Sequence, residues 1–179
     1  MEERDRDERS WTGAKDTMTA TDILGRSDLF GHLPKKDLEY LSGLCRPFSF
    51  SPGEVVFREG DRATKLYVLE DGRVALDIDV FAAPDGPVIP TAVDMVGPAD
   101  CFGWSSFIGP GTYRATARCV DPSTGVIIDA DALIEAMRKD AALGYQVMGK
   151  LAQTIADYLG HIRLRLTTQL TRLLDRKDW

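Results

Sequence analysis

Three cysteines, two histidines and a trio of acids on strand-like runs are the first residues of this chain whose types could do chemistry. Cys45, Cys101 and Cys119 could act as nucleophiles or, with His32 and His161, as soft metal ligands. Their spacing speaks against both. No two cysteines form a CxxC pair suited to zinc, an odd, widely spaced set gives no disulfide framework, and neither histidine has a second ligand at helical spacing. Asp77, Asp79 and Asp94 alternate along runs that read as strands, as solvent-facing residues of half-buried strands do, so solvation is their expected role. No His, Cys or Ser stands in a recognisable catalytic spacing. The expectation is a protein that is not an enzyme and holds no metal or haem.

The 179 residues allow one core and an appendage. With 44% hydrophobic and 28% charged residues the composition is that of a globular protein. No run approaches the roughly 18 apolar residues of a membrane span, so no membrane partner is expected. The N-terminal MEERDRDERS lacks the apolar stretch of a secretion signal, which points to the cytoplasm. A formal charge of −6 repels phosphate backbones on average, so no nucleic-acid partner is expected either.

Positioning elements follow from the patterning. Residues 1 to about 18 mix acids and bases with little apolar content, and 1–20 are read as a disordered tail. From Thr21 to Leu44 apolar residues recur every three or four positions, which predicts two short helices broken near Gly31 and Pro34, the second starting at Pro34 with Asp37 in its first turn. Between Phe48 and about Asp129 come short runs, FSF, EVVF, KLYVLE, RVALDIDVF, PTAVDMV and TGVIID, separated by SPG, EGD, EDG, APDGP and DPS. Strands with such turns predict a sandwich, jelly roll or small barrel. APDGP, residues 83–87, reads as an exposed hairpin loop between Val80 and Val88. Asp131 is expected to cap a helix over ALIEAMRK, and Asp140 a longer one towards Leu174.

The long helix carries Met148, Ala152, Ile155, Leu159, Ile162, Leu166 and Leu173 at spacings of four and three, interrupted at Gln169. That is a coiled-coil seam. Its first half can pack on the β core. Beyond about Gly160 a lone helix would expose more apolar surface than a monomer tolerates, so a homodimer through this helix is expected.

The segment SPGEVVFREGDRATKLYVLEDGRVAL resembles the opening of the cyclic-nucleotide-binding domains of the catabolite activator family, kinase regulatory subunits and gated channels. Gly53, Gly60 and Gly72 stand at its turns, where glycine accepts a positive φ. With FGW and a long helix following, the resemblance covers roughly residues 23 to 170. It implies a mainly β fold with flanking helices, a double-stranded β-helix or jelly roll over 21–138, and a C-terminal dimerisation helix over 139–179.

The resemblance also implies where a ligand would sit. Family members carry a cassette of FGE, a few small or apolar residues, and an arginine ahead of a small-residue strand; turn N–H groups and the arginine hold the cyclic phosphate, and the glutamate accepts the ribose hydroxyl. This chain reads CFGWSSFIGPGTYRATARC. The corresponding residues are Phe102, Gly103, Trp104, Ser105, Ser106, Tyr113 and Arg114. Trp104 replaces the glutamate, and an indole accepts no hydrogen bond, a loss of roughly 1–3 kcal/mol, or about 5- to 150-fold in affinity. Trp104 can equally be a packed core aromatic. Alternation with Ala115, Ala117 and Cys119 puts Tyr113 on the interior face and Arg114 outward, whereas a one-residue shift in GPGTY would turn Arg114 inward.

FGWS, the tyrosine-arginine pair and AALGYQVMGKLAQTIADYL look like a bacterial subgroup of short, single-domain members. These are similar to the sensory half of a catabolite-activator-type regulator without its helix-turn-helix. Two functions follow. One is a regulatory sensor holding a cyclic nucleotide or another small anionic ligand near Gly103 and Ser105, with no other cofactor. The other is a degenerate scaffold that dimerises or docks onto a protein partner, with Trp104 and Phe107 filling the old pocket.

Overall fold

The computed structural model describes residues 18–81, 87–109 and 111–175. The expectations for residues 1–17 and for most of the APDGP loop lie outside these. Helix α1 (Ala20–Arg26) opens with a capping box in which Thr19 and Asp22 bond each other's backbone N–H groups. Helix α2 (Lys35–Ser42) starts after Pro34 with Asp37 in its first turn. The break comes earlier than Gly31: Ser27 ends α1, and its hydroxyl accepts from the Phe30 N–H at 3.1 Å, drawing the chain into a turn.

Eight strands follow: β1 (Cys45–Phe50), β2 (Val55–Phe57), β3 (Lys65–Asp71), β4 (Val74–Phe81), β5 (Val88–Val96), β6 (Cys101–Phe102), β7 (Thr116–Cys119) and β8 (Ser123–Asp129). They form two four-stranded sheets, ordered β1-β8-β3-β6 and β2-β7-β4-β5, antiparallel throughout. Strands β4 and β5 pair up to Phe81 opposite Val88, as the hairpin reading required. Gly53, Gly60 and Gly72 all have positive φ. At Gly72 a Cβ would also stand 2.4 Å from the Pro122 carbonyl oxygen, so the site excludes any side chain.

Alternation along these strands divides the core in two. Inside the roll lie Phe48, Phe57, Tyr67, Leu69, Val74, Phe102, Tyr113, Ala117 and Cys119. On the other side of the first sheet Leu66, Val68, Val126 and Ile128 meet Leu24, Leu29, Phe30 and Leu41 of the N-terminal helices. The same cluster takes in Leu133 of α3 (Ala130–Lys139) and Leu143, Val147 and Leu151 of α4 (Ala141–Asp175). Two anchors tie the N-terminal helices to the sheet: the Asp28 N–H donates to the Ala99 carbonyl at 2.9 Å, and the Cys101 N–H donates to the Asp28 carboxylate at 3.1 Å.

Two sequence expectations need correction. Helix α3 is capped by Asp129, whose carboxylate accepts from the Ala132 N–H, and Asp131 lies in the first turn; β8 runs directly into the helix, so the cap falls two residues earlier. Asp77 is not a solvating residue. It is only 4% exposed, and the Arg118 Nε donates to it at 2.8 Å across the β4–β7 ladder. Asp79 is exposed as expected, and Asp94 bonds its neighbour's N–H. Asp140 does cap α4, accepting from the N–H groups of Ala142 and Leu143. Among the described residues no helix is long and apolar enough to cross a membrane.

Candidate functional site

The cassette begins where β6 ends. Gly103 takes φ +82°, and a Cβ there would stand 2.9 Å from the Lys65 carbonyl oxygen, so both backbone conformation and space demand glycine. A single 3-10 turn over Trp104–Ser106 follows, then a loop with positive φ at Gly109 and Gly111, then β7. The loop is stitched to the β2–β3 connection: the Gly60 N–H donates to the Tyr113 carbonyl, the Tyr113 N–H to that of Asp61 and the Ala63 N–H to that of Gly111.

This frame brings Phe102, Gly103 and Tyr113 together inside the roll and separates them from the other cassette residues. Tyr113 is 5% exposed, and its ring stacks on Phe57 with centroids 3.7 Å apart. Its hydroxyl accepts from the Lys65 N–H at 3.2 Å and donates to the Lys65 carbonyl at 3.0 Å. Burial pushes the phenol above its ordinary pKa, so it stays neutral. Phe102 stacks on Tyr67, and Phe57 reaches both rings. The interior side of the cassette is thus aromatic and uncharged.

Arg114 is exposed, with a terminal guanidinium nitrogen 3.9 Å from where a Cβ on Gly109 would stand. Its outward direction follows from the alternation that buries Ala117 and Cys119. Trp104 and Phe107 are half-buried against the helical core cluster, so they do not occupy the roll interior. The Trp104 ring meets Tyr158 of α4 edge-on at 6.5 Å. Phe102 and Tyr113 fill the interior instead, because the turn at Gly103 reverses the chain and sends the next side chain towards the helices. Ser105 is half-buried, and the Ser106 hydroxyl oxygen is buried with no hydrogen-bond partner.

The remaining candidates are inert or scattered. Burial pushes the Cys45 thiol up to about 12, and those of Cys101 and Cys119 also upward, which disfavours the nucleophilic thiolate. His32 and His161 are exposed. Among the described residues no group of three His, Cys, Asp or Glu side chains could hold a metal. Sequence reasoning missed Phe57, Lys65 and Tyr158 as cassette partners. Phe57 ends the EVVF run, but the stack depends on cross-sheet packing that one strand's pattern does not contain.

Residues 47–140 match the cyclic nucleotide-binding domain family, and the chain belongs to that family. It is 28% identical over 134 residues to the CRP-like cAMP-activated global transcriptional regulator of Mycobacterium tuberculosis, covering 75% of this chain and 58% of the regulator. The chain therefore spans little more than half the length of that relative. A Geobacter metallireducens GS-15 structure, described as a cyclic nucleotide-binding protein, superposes with a TM-score of 0.66 at 28% identity, over 79% of this chain and 99% of the other. A cyclic nucleotide-binding domain from Methylobacillus flagellatus reaches a TM-score of 0.70 at 21% identity over 84% and 82%, a likeness that speaks for the fold alone.

Proposed function

We propose that this chain is a cytoplasmic, non-catalytic regulatory module whose roll, residues 21–138, binds cyclic AMP and cyclic GMP weakly at best, and whose helix, 139–179, pairs with that of a twin. The observation that carries this reading is Tyr113. It is buried inside the roll beside Gly103, where the family resemblance would place the arginine that meets a cyclic phosphate, while Arg114 faces solvent. Trp104, where relatives of this type use an acceptor for the ribose, leans on α4 instead. Pairing is supported by the exposed apolar residues Met148, Leu159 and Leu166 along the seam. We assign the module no nucleic-acid partner of its own.

A second reading, a sensor of another small anion, is favoured by the buried, unpartnered Ser106 hydroxyl beside the Gly103 turn. Thermal denaturation with a panel of nucleotides and small anions separates the two, since a ligand at about 100 times its dissociation constant adds about 2.7 kcal/mol of stability. The main reading expects a shift below about 0.4 kcal/mol with cyclic nucleotides at about 100 µM. A shift with one non-cyclic anion, lost on Ser106→Ala, establishes the second, and a large shift with cyclic AMP overturns the first.

A further inference from the structure

The residues of α4 that hold it to the body of the protein run in one row. Leu143, Val147 and Leu151 are buried at steps of four, and Ile155 packs against the same cluster. Tyr158, half-buried, comes three residues later, and beyond it Leu159, Leu164 and Leu166 are exposed. Tyr158 therefore marks the place where α4 leaves the body. What meets it there is the cassette: the Trp104 ring stands edge-on to it, with centroids 6.5 Å apart and planes at 76°.

Both sides of this contact are held in place. The 3-10 turn that Trp104 opens closes on itself: the Ser106 N–H donates to the Gly103 carbonyl at 3.0 Å, and the Phe107 and Ile108 N–H groups donate to that of Trp104 at 3.2 and 3.3 Å. Phe107 and Ile108 pack on the helical cluster beside it. On the helix, Ile155 and Ile162 stand three residues before and four after Tyr158, so they are its neighbours on the helix surface, and both belong to the seam. From Tyr158 towards Asp175 the helix runs about 25 Å, so a tilt of about 20° at the contact carries its far end about 9 Å sideways, about the spacing of two packed helices. We propose that Trp104 is a positioning residue for α4: its contact with Tyr158 fixes the angle at which the distal helix leaves the roll, and so presents the seam for pairing, with no ligand bound. An aromatic pair attracts beyond the area it buries, and both rings belong to the chain itself. The consequence for pairing rests on the twin proposed above, whereas the latch on α4 does not.

The test uses the full chain in nucleotide-free buffer, with Trp11→Phe and Trp179→Phe so that Trp104 is the sole indole. Tyr158→Ala should move the Trp104 emission to the red and raise its quenching by acrylamide about two-fold, whereas Tyr158→Phe, which keeps a ring, should do neither. Hydrogen exchange over residues 152–162 should rise about ten-fold in Trp104→Ala and in Tyr158→Ala, with no further rise in the double variant, and Trp104→Phe should restore most of the protection. Light scattering over a dilution series should show the dimer dissociation constant raised about ten-fold by either replacement, again without additivity. Emission indifferent to Tyr158→Ala, or losses that simply add, overturns the proposal, because the two rings then act apart. Faster exchange in the strands of the roll after Tyr158→Ala also overturns it, since the contact would then serve general stability. A monomeric wild type in which the two replacements still share one loss of α4 protection removes the twin pairing and keeps the latch.

Discussion

The ring of Tyr113 lies flat on that of Phe57, centroids 3.7 Å apart and planes 11° from parallel, while the Tyr113 hydroxyl closes both backbone polar groups of Lys65. One side chain therefore joins the cassette to β2 through its face and to β3 through its tip. Removing only the tip, as in Tyr113→Phe, deletes both hydrogen bonds to the half-buried Lys65 backbone and should destabilise by about 1–3 kcal/mol. Tyr113→Ala also empties the stack and should cost about 3–5 kcal/mol. Urea denaturation measures both, and a Phe variant as stable as the wild type would show that these hydrogen bonds do not anchor the cassette.

Arg118 and Asp77 form the one ion pair among the described residues with a buried partner. The Asp77 Oδ1 has no hydrogen bond, so the carboxylate depends on Arg118 alone. Arg118→Ala strands that charge and should destabilise by about 3 kcal/mol, the lower end for breaking a buried pair because the arginine is itself half exposed. Arg118→Ala with Asp77→Ala should recover part of the loss. Arg73, paired with Asp121 in solvent, is the control and should be nearly silent on substitution. Equal losses at Arg118 and Arg73 would contradict the distinction.

Burial raises the Asp28 carboxyl above its ordinary 3.8, although the Cys101 N–H donates to it. The native state then holds this proton to higher pH than the unfolded chain does. Stability linked to it is complete below about pH 3.8 and is lost as pH rises through the folded value. Asp28→Asn does not titrate and keeps an acceptor for Cys101. Its stability relative to wild type should grow from about pH 3.8 upward and then level off. A difference that is flat or shrinks over that range would contradict the assignment.

On α4, Ile162→Lys with Leu166→Lys places like charges along the proposed seam and should yield monomers by light scattering. An unchanged dimer mass, or a monomeric wild type, refutes pairing through this helix.

Much of this fold was legible in the sequence because its signals are local. SPG, EGD and EDG mark turns whose glycines need positive φ, β4 and β5 flank APDGP, and Asp140 announces α4. Alternation favoured an outward Arg114 but left open a one-residue shift in GPGTY that would turn it inward; the side chain is exposed. What escaped depends on contacts across the fold. Asp77 reads as an exposed strand acid until β7 brings Arg118 against it. Trp104 reads as either a pocket filler or a core aromatic, and only the left-handed turn at Gly103 shows that it packs on the helical cluster, edge-on to Tyr158 of α4.

The central claim is that an aromatic stack stands where a cyclic phosphate would need a cation, and calorimetric titration of cyclic AMP and cyclic GMP tests it most directly. Wild type, Trp104→Glu, Arg114→Ala and the double variant should all bind with dissociation constants above roughly 100 µM, weaker than about −5.5 kcal/mol. Restoring the ribose acceptor should not help without an inward arginine. Low-micromolar binding by the wild type that Arg114→Ala abolishes would contradict the account, because Arg114 would then have to reach the phosphate that Tyr113 is held to exclude.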